Sequence, residues 1–109
     1  MGNLIPFAQR FIAGISTRTV SARNLHEFLE VKRDFSTWIK ARIDQYDFEE
    51  NQDFILIHQN GGIKKQGGDK KSINYYLTID MAKELAMVER NEKGRQARRY
   101  FIDCENKLL

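Results

Sequence analysis

Apolar residues recur along this chain at two different spacings, and the switches between them mark the elements. Ala22, Leu25, Phe28 and Leu29 share one face of a helix that Ser21 is placed to cap, predicting a helix over 22–30. A short break at 31–33 follows, and Asp34 is the next cap. Phe35, Trp38, Ile39, Ile43 and Tyr46 then form a stripe at helical spacing, with Lys40, Arg42 and Asp44 mainly on the wet face. Between residues 54 and 77 the pattern becomes extended. Phe54–Ile57 is a short apolar strand. Ile73, Tyr75 and Leu77 alternate with Asn74 and Tyr76, as in a strand with one buried face.

Helical spacing returns at Thr78, a third cap, with Asp80 in the first turn where the helix dipole favours a carboxylate. Met81, Leu85 and Val88 mark its apolar side. The stripe loses phase near Asn91–Gly94, where glycine predicts a break or bend. A last helix carries Ala97, Phe101, Cys104 and Leu108 on one face, widened by Tyr100. Residues 4–20 are the least patterned, and two short strands about a turn near Ile15–Arg18 fit them best. The fold expected is therefore α+β. It has four main helices, a β-hairpin between the second and third, and a short N-terminal hairpin. The core should centre on Leu25, Phe28, Leu29, Phe35, Trp38, Ile39, Ile43, Phe54, Leu56, Tyr75, Leu77, Leu85 and Val88.

Composition narrows the class. A chain of 109 residues is most simply one domain, here 1–109, with residues 1–18 as a less regular hairpin or arm. Its 41% apolar and 30% charged residues suit a folded, well-hydrated globule. The single cysteine, Cys104, excludes an internal disulfide and makes the cytosol the default compartment. No apolar run is long enough to span a membrane, and the N-terminus lacks the charged start and apolar core of a signal peptide.

The net charge of +3 conceals two poles. Residues 44–53 hold five carboxylates (Asp44, Asp47, Glu49, Glu50 and Asp53) and no base. Residues 64–71 hold four lysines (Lys64, Lys65, Lys70 and Lys71) against Asp69, in a glycine-rich loop between the two strands. Residues 90–99 hold five bases against Glu92, among them Arg95, Arg98 and Arg99.

Chemistry finds little support. His26, His58 and Cys104 have no zinc-like spacing, and GGIKKQGG lacks the sequel of a phosphate loop. No catalytic residue, metal or cofactor is expected. Binding is better supported. The Lys64–Lys71 tip and the Arg95–Arg99 helix could track a phosphate backbone, although lysine loops and charged helix faces are often only solvated surface. The stripe Ala97–Phe101–Cys104–Leu108 must be buried against its own domain or a second copy, so self-association is expected. The acidic run suits a basic partner.

Two long stretches carry a family resemblance. VSARNLHEFLEVKRDFSTWIKARIDQYDFEENQDF closely resembles the N-terminal domain of AntA/AntB-type phage antirepressors, and YYLTIDMAKELAMVERNEKGRQARRYFIDCE is similar to that family's second signature. Together they cover roughly residues 19–106. The resemblance implies a phage or prophage regulator, in the cytoplasm of a bacterial host, that binds a repressor and favours lytic gene expression. Family members commonly carry a further C-terminal domain, so the chain is either a compact member or part of a longer one. The family is also loosely similar to the Bro-N and KilA-N groups of viral DNA-binding domains, which makes duplex DNA the second candidate partner.

Overall fold

The computed structural model describes residues 5–58 and 73–107. Strands β1 (Phe7–Ile12) and β2 (Ile15–Ser21) lead into helices α1 (Ala22–Leu29) and α2 (Phe35–Tyr46). Strands β3 (Phe54–His58) and β4 (Ile73–Thr78) lead into α3 (Ile79–Val88) and α4 (Glu92–Lys107). The class is α+β as expected, with a correction to its arrangement. The two strand pairs are not separate hairpins. They join through β2 and β4 into one antiparallel sheet of order β1-β2-β4-β3.

The N-terminal hairpin also turns elsewhere than the apolar pattern suggests. Ile12 pairs with Ile15 across Ala13 and Gly14, whose φ values are 53° and 79°. Two residues in the left-handed region match the twist of antiparallel strands, which splits the stretch at 13–14 rather than near 15–18.

Both central strands pass into a helix without a loop. Ser21 ends β2 and caps α1, its Oγ accepting from the Asn24 N–H at 3.2 Å. Thr78 ends β4 and caps α3, its Oγ1 accepting from the Met81 N–H at 3.1 Å. A hydroxyl suits both positions because it tolerates extended backbone and satisfies an orphan helix donor. Asn74 then ties the strands together. Its Nδ2 donates to Ser21 Oγ at 2.9 Å, and its Oδ1 accepts from the Arg23 N–H at 3.3 Å. Asn74 is buried, so the alternation read along β4 fails there: the amide is kept inside by polar partners.

One in-register row crosses the whole sheet: Phe7, Val20, Leu77 and Phe54. Val20, Leu77 and Phe54 belong to one buried cluster with Leu25, Leu29, Trp38, Ile39 and Leu85, and Phe7 packs against it. Phe28, Phe35, Ile43, Leu56 and Tyr75 are half-buried at its margin, while Val88 is only partly covered. Ile5, Ile79, Ala82 and Ala86 also belong to the cluster without having been marked by the periodicity, and Met81, marked on the stripe of α3, joins them.

Helix α4 starts at Glu92, so the break precedes Gly94. Arg90, at φ 49°, ends α3, and Asn91 Oδ1 caps α4 by accepting from the Gly94 N–H at 2.7 Å. Gly94 serves a different purpose. A Cβ there would lie 2.4 Å from the Ala86 carbonyl oxygen, so only glycine lets α3 and α4 meet this closely. Gly94→Ala should therefore destabilise the fold by about 1–3 kcal/mol despite alanine's better helix propensity, read as a lower urea midpoint at an unchanged slope. Ser21→Ala removes a cap and strands the buried Asn74 amide, and should cost about 2 kcal/mol in the same assay.

Candidate interaction surfaces

The acidic run after α2 is a closed, hydrogen-bonded turn. Helix α2 ends on Asp47 in the left-handed conformation, φ 57°, and the Phe48 N–H donates to the Ile43 carbonyl at 3.2 Å. The Gln52 and Asp53 N–H groups both donate to the Glu49 carbonyl, at 3.1 and 2.8 Å. The Asp53 carboxylate accepts from the Glu49 N–H at 2.9 Å, and the Asp53 carbonyl accepts from the Thr78 N–H at 2.9 Å. Asp53 is thus half-buried and structural, which separates it from the other four acids. Asp44, Asp47, Glu49 and Glu50 are exposed. Tyr46, 40% exposed, stands beside Phe48 with ring centroids 6.2 Å apart. The last turn of α2 and the segment after it therefore expose four carboxylates and the Tyr46 ring.

Arg42 does not stay on the wet face assigned to it by helical phase. Its Nη2 lies 3.0 Å from Glu89 Oε2, and both side chains are largely buried at 17% and 13% exposure. The same oxygen accepts from Trp38 Nε1 at 2.8 Å. The result is a bridge from α2 to the end of α3 that a one-dimensional pattern does not announce, because Glu89 is 47 residues from Arg42.

The basic groups divide. Lys64, Lys65, Lys70 and Lys71 lie outside the described residues. Arg95, Arg98 and Arg99 are exposed on α4, with Arg95 Nη1 at 3.9 Å from Glu92. Of the C-terminal stripe, Ala97 and Phe101 are fully buried in the chain's own core and Cys104 is half-buried. Leu108 lies outside the described residues. Tyr100 stacks on Phe7 at 5.8 Å and donates to the Ile5 carbonyl at 2.9 Å. Burial, with the Cys104 thiol beside it, pushes the Tyr100 hydroxyl above its ordinary value. The expected apolar seam is therefore consumed inside the chain, by the N-terminal strand and α3, and its buried members are not available to a second copy.

A cleft of about 520 Å³ opens where α1, α2 and β4 converge, between Arg23, Phe35, Lys40 and Tyr75. Arg23 is already engaged there: its Nε and Nη2 donate to the Ile73 carbonyl at 3.0 and 2.8 Å, and its guanidinium lies 4.3 Å from the Phe35 ring centre. Among the described residues no group of three His, Cys, Asp or Glu side chains is placed to hold a metal, and no helix is long and apolar enough to cross a membrane.

The geometry so far defines a small α+β domain with exposed acidic and basic surfaces. The sequence profile of the AntA/AntB antirepressor family matches residues 20–91, and the chain belongs to that family, which is a regulatory one. The matched span runs from the end of β2 through α3 and stops as α4 is about to begin. The likeness read from the sequence as far as residue 106 is thus supported up to Asn91. No curated protein and no solved structure matches the chain.

Asp34 at the rim of the cleft gives a pH handle on the fold. The Thr37 N–H, 3.0 Å from Oδ2, holds the Asp34 carboxyl below its ordinary 3.8. A depressed folded-state value means the stabilisation is complete above 3.8 and is lost as pH falls through the folded value. Asp34→Asn keeps a capping oxygen that does not titrate. Its denaturation midpoint should fall less steeply than that of the parent protein on acidification below pH 3.8.

Proposed function

We propose that this protein is an antirepressor that works by direct, noncovalent contact with a transcriptional repressor, presenting the turn after α2 to it. The family match over residues 20–91 carries the reading. The exposed carboxylates of Asp44, Asp47, Glu49 and Glu50 supply its physics. A repressor must offer a cationic face to phosphate. A compact surface with four carboxylates and an aromatic edge competes for that face, and the hydrogen bonds within the turn hold it ordered in advance, so less entropy is lost on binding. Occupancy of the operator falls because the repressor is drawn into a complex that cannot hold DNA. On this reading residues 1–109 act as one folding unit in the cytoplasm of a bacterium carrying a phage or prophage, and no bond is made or broken.

The test pairs a pull-down against the cognate repressor with a gel shift of the repressor–operator complex. Added protein should bind the repressor and release the DNA. The variant Asp44→Asn/Asp47→Asn/Glu49→Gln/Glu50→Gln should fold normally and lose at least tenfold in repressor affinity, most plainly at low salt. A repressor–operator complex indifferent to excess protein overturns the antirepressor reading. Full activity in the neutralised variant overturns the assignment of the acidic turn. The competing possibility is direct duplex binding through Arg95, Arg98, Arg99 and the Lys64, Lys65, Lys70 and Lys71 loop. It predicts a shift of naked DNA by this protein alone, with an affinity that collapses as salt rises.

A further inference from the structure

A second surface is ordered by charge in a way that the acidic turn is not. Asp80, Glu84 and Met87 lie at i, i+4 and i+7 on the exposed side of α3, and exposed Arg90 follows where the helix ends. Two concavities follow one another along the seam between α3 and α4 and share Met87 and Arg98. The one of about 390 Å³ is walled by Asp53, Asp80 and Glu84, with Lys83. Lys83 is already paired, at 2.9 Å to Glu105 and 3.5 Å to Asp80. The other, of about 360 Å³, is walled by Arg90 and Arg95, with Glu92. The groove therefore runs from acid to base, and Met87, 52% exposed, stands at the changeover.

We propose that this groove is a homodimer interface in which a second copy of the chain lies antiparallel across it about a twofold axis near Met87. The order of charge selects the occupant. Glu84 and Arg90 stand three positions either side of Met87. A twofold rotation there brings Glu84 of each copy toward Arg90 of the other. A parallel arrangement would set like charges together, at a cost that suppresses it. An isologous contact needs a self-complementary patch, and Glu84 and Arg90 spaced equally about Met87 supply one. Methionine suits the axis because its unbranched thioether can repack against its own image. This contact replaces the buried Ala97–Phe101 face as the means of self-association, and it stands apart from the repressor-binding reading, which uses Asp44, Asp47, Glu49 and Glu50.

Sedimentation of the purified chain with Glu84→Arg and Arg90→Glu variants tests the proposal. The parent protein should sediment as a dimer that weakens in high salt. Each variant alone should be monomeric, because every interface then carries two like-charge pairs. An equimolar mixture of the two should regain the dimer, because both pairs become opposite again. A monomeric parent, or a mixture no more associated than its components, overturns the proposal. Since Arg90 also ends α3, an independent arm uses Met87→Cys in a Cys104→Ser background, oxidised with copper phenanthroline. Rapid formation of a disulfide-linked dimer is expected. A thiol that remains monomeric under conditions where the protein sediments as a dimer places the axis elsewhere and overturns it too.

Discussion

The hydrogen bond between Asn74 and Ser21 holds the architecture together. Ser21 is at once the last residue of β2, the cap of α1 and the acceptor for Asn74 Nδ2 from the neighbouring strand. The register of β2 on β4 and the departure of α1 are therefore set at one buried point. If β4 slipped by one residue, the amide would lose its partners and Leu77 would turn away from Val20. Because Thr78 repeats the same strand-to-helix passage on β4, the two central strands send α1 and α3 away without intervening loops. The joining of two hairpins into one sheet follows from this pair of junctions.

The second constraint lies where α3 meets α4. Glycine at 94 lets α4 approach the Ala86 carbonyl, and that approach seats Ala97 and Phe101 in the core. The same closeness aligns Arg95 and Arg98 beside Met87 along a common groove. The buried side of α4 stabilises the domain while its opposite side arranges charge. The Trp38–Glu89–Arg42 bridge fixes the end of α3 to α2, on the helix that leads into the acidic turn. Core and surface are thus coupled through a small number of polar contacts, each costly to leave unpaired where it is buried. The two proposed activities use different parts of this frame: four carboxylates at and beyond the end of α2 for a basic partner, and a charge-ordered seam between α3 and α4 for a copy of itself.

The sequence by itself determined the caps, the helices and the family. Ser21, Asp34 and Thr78 are hydroxyl or carboxylate residues directly before apolar stripes, and all three cap as expected because capping is local, reaching three residues along the chain. The acidic pole was legible for the same reason, since charge density survives folding wherever the chain stays on the surface. Helix ends were harder: Glu30, Asp47 and Arg90 adopt left-handed backbone where glycine would have been the signal. What only the tertiary structure decided is which polar residues go inside and which apolar ones are claimed by the core. Asn74, Arg42 and Glu89 are polar letters in a linear reading, and their burial depends on partners some fifty residues away. Phe101 had either its own domain or a second copy to be buried against, and Phe7, in a strand at the other end of the chain and 6.3 Å from it, is what decides for its own domain. Local hydrogen bonding is written in neighbouring residues, whereas burial is a property of the assembled whole.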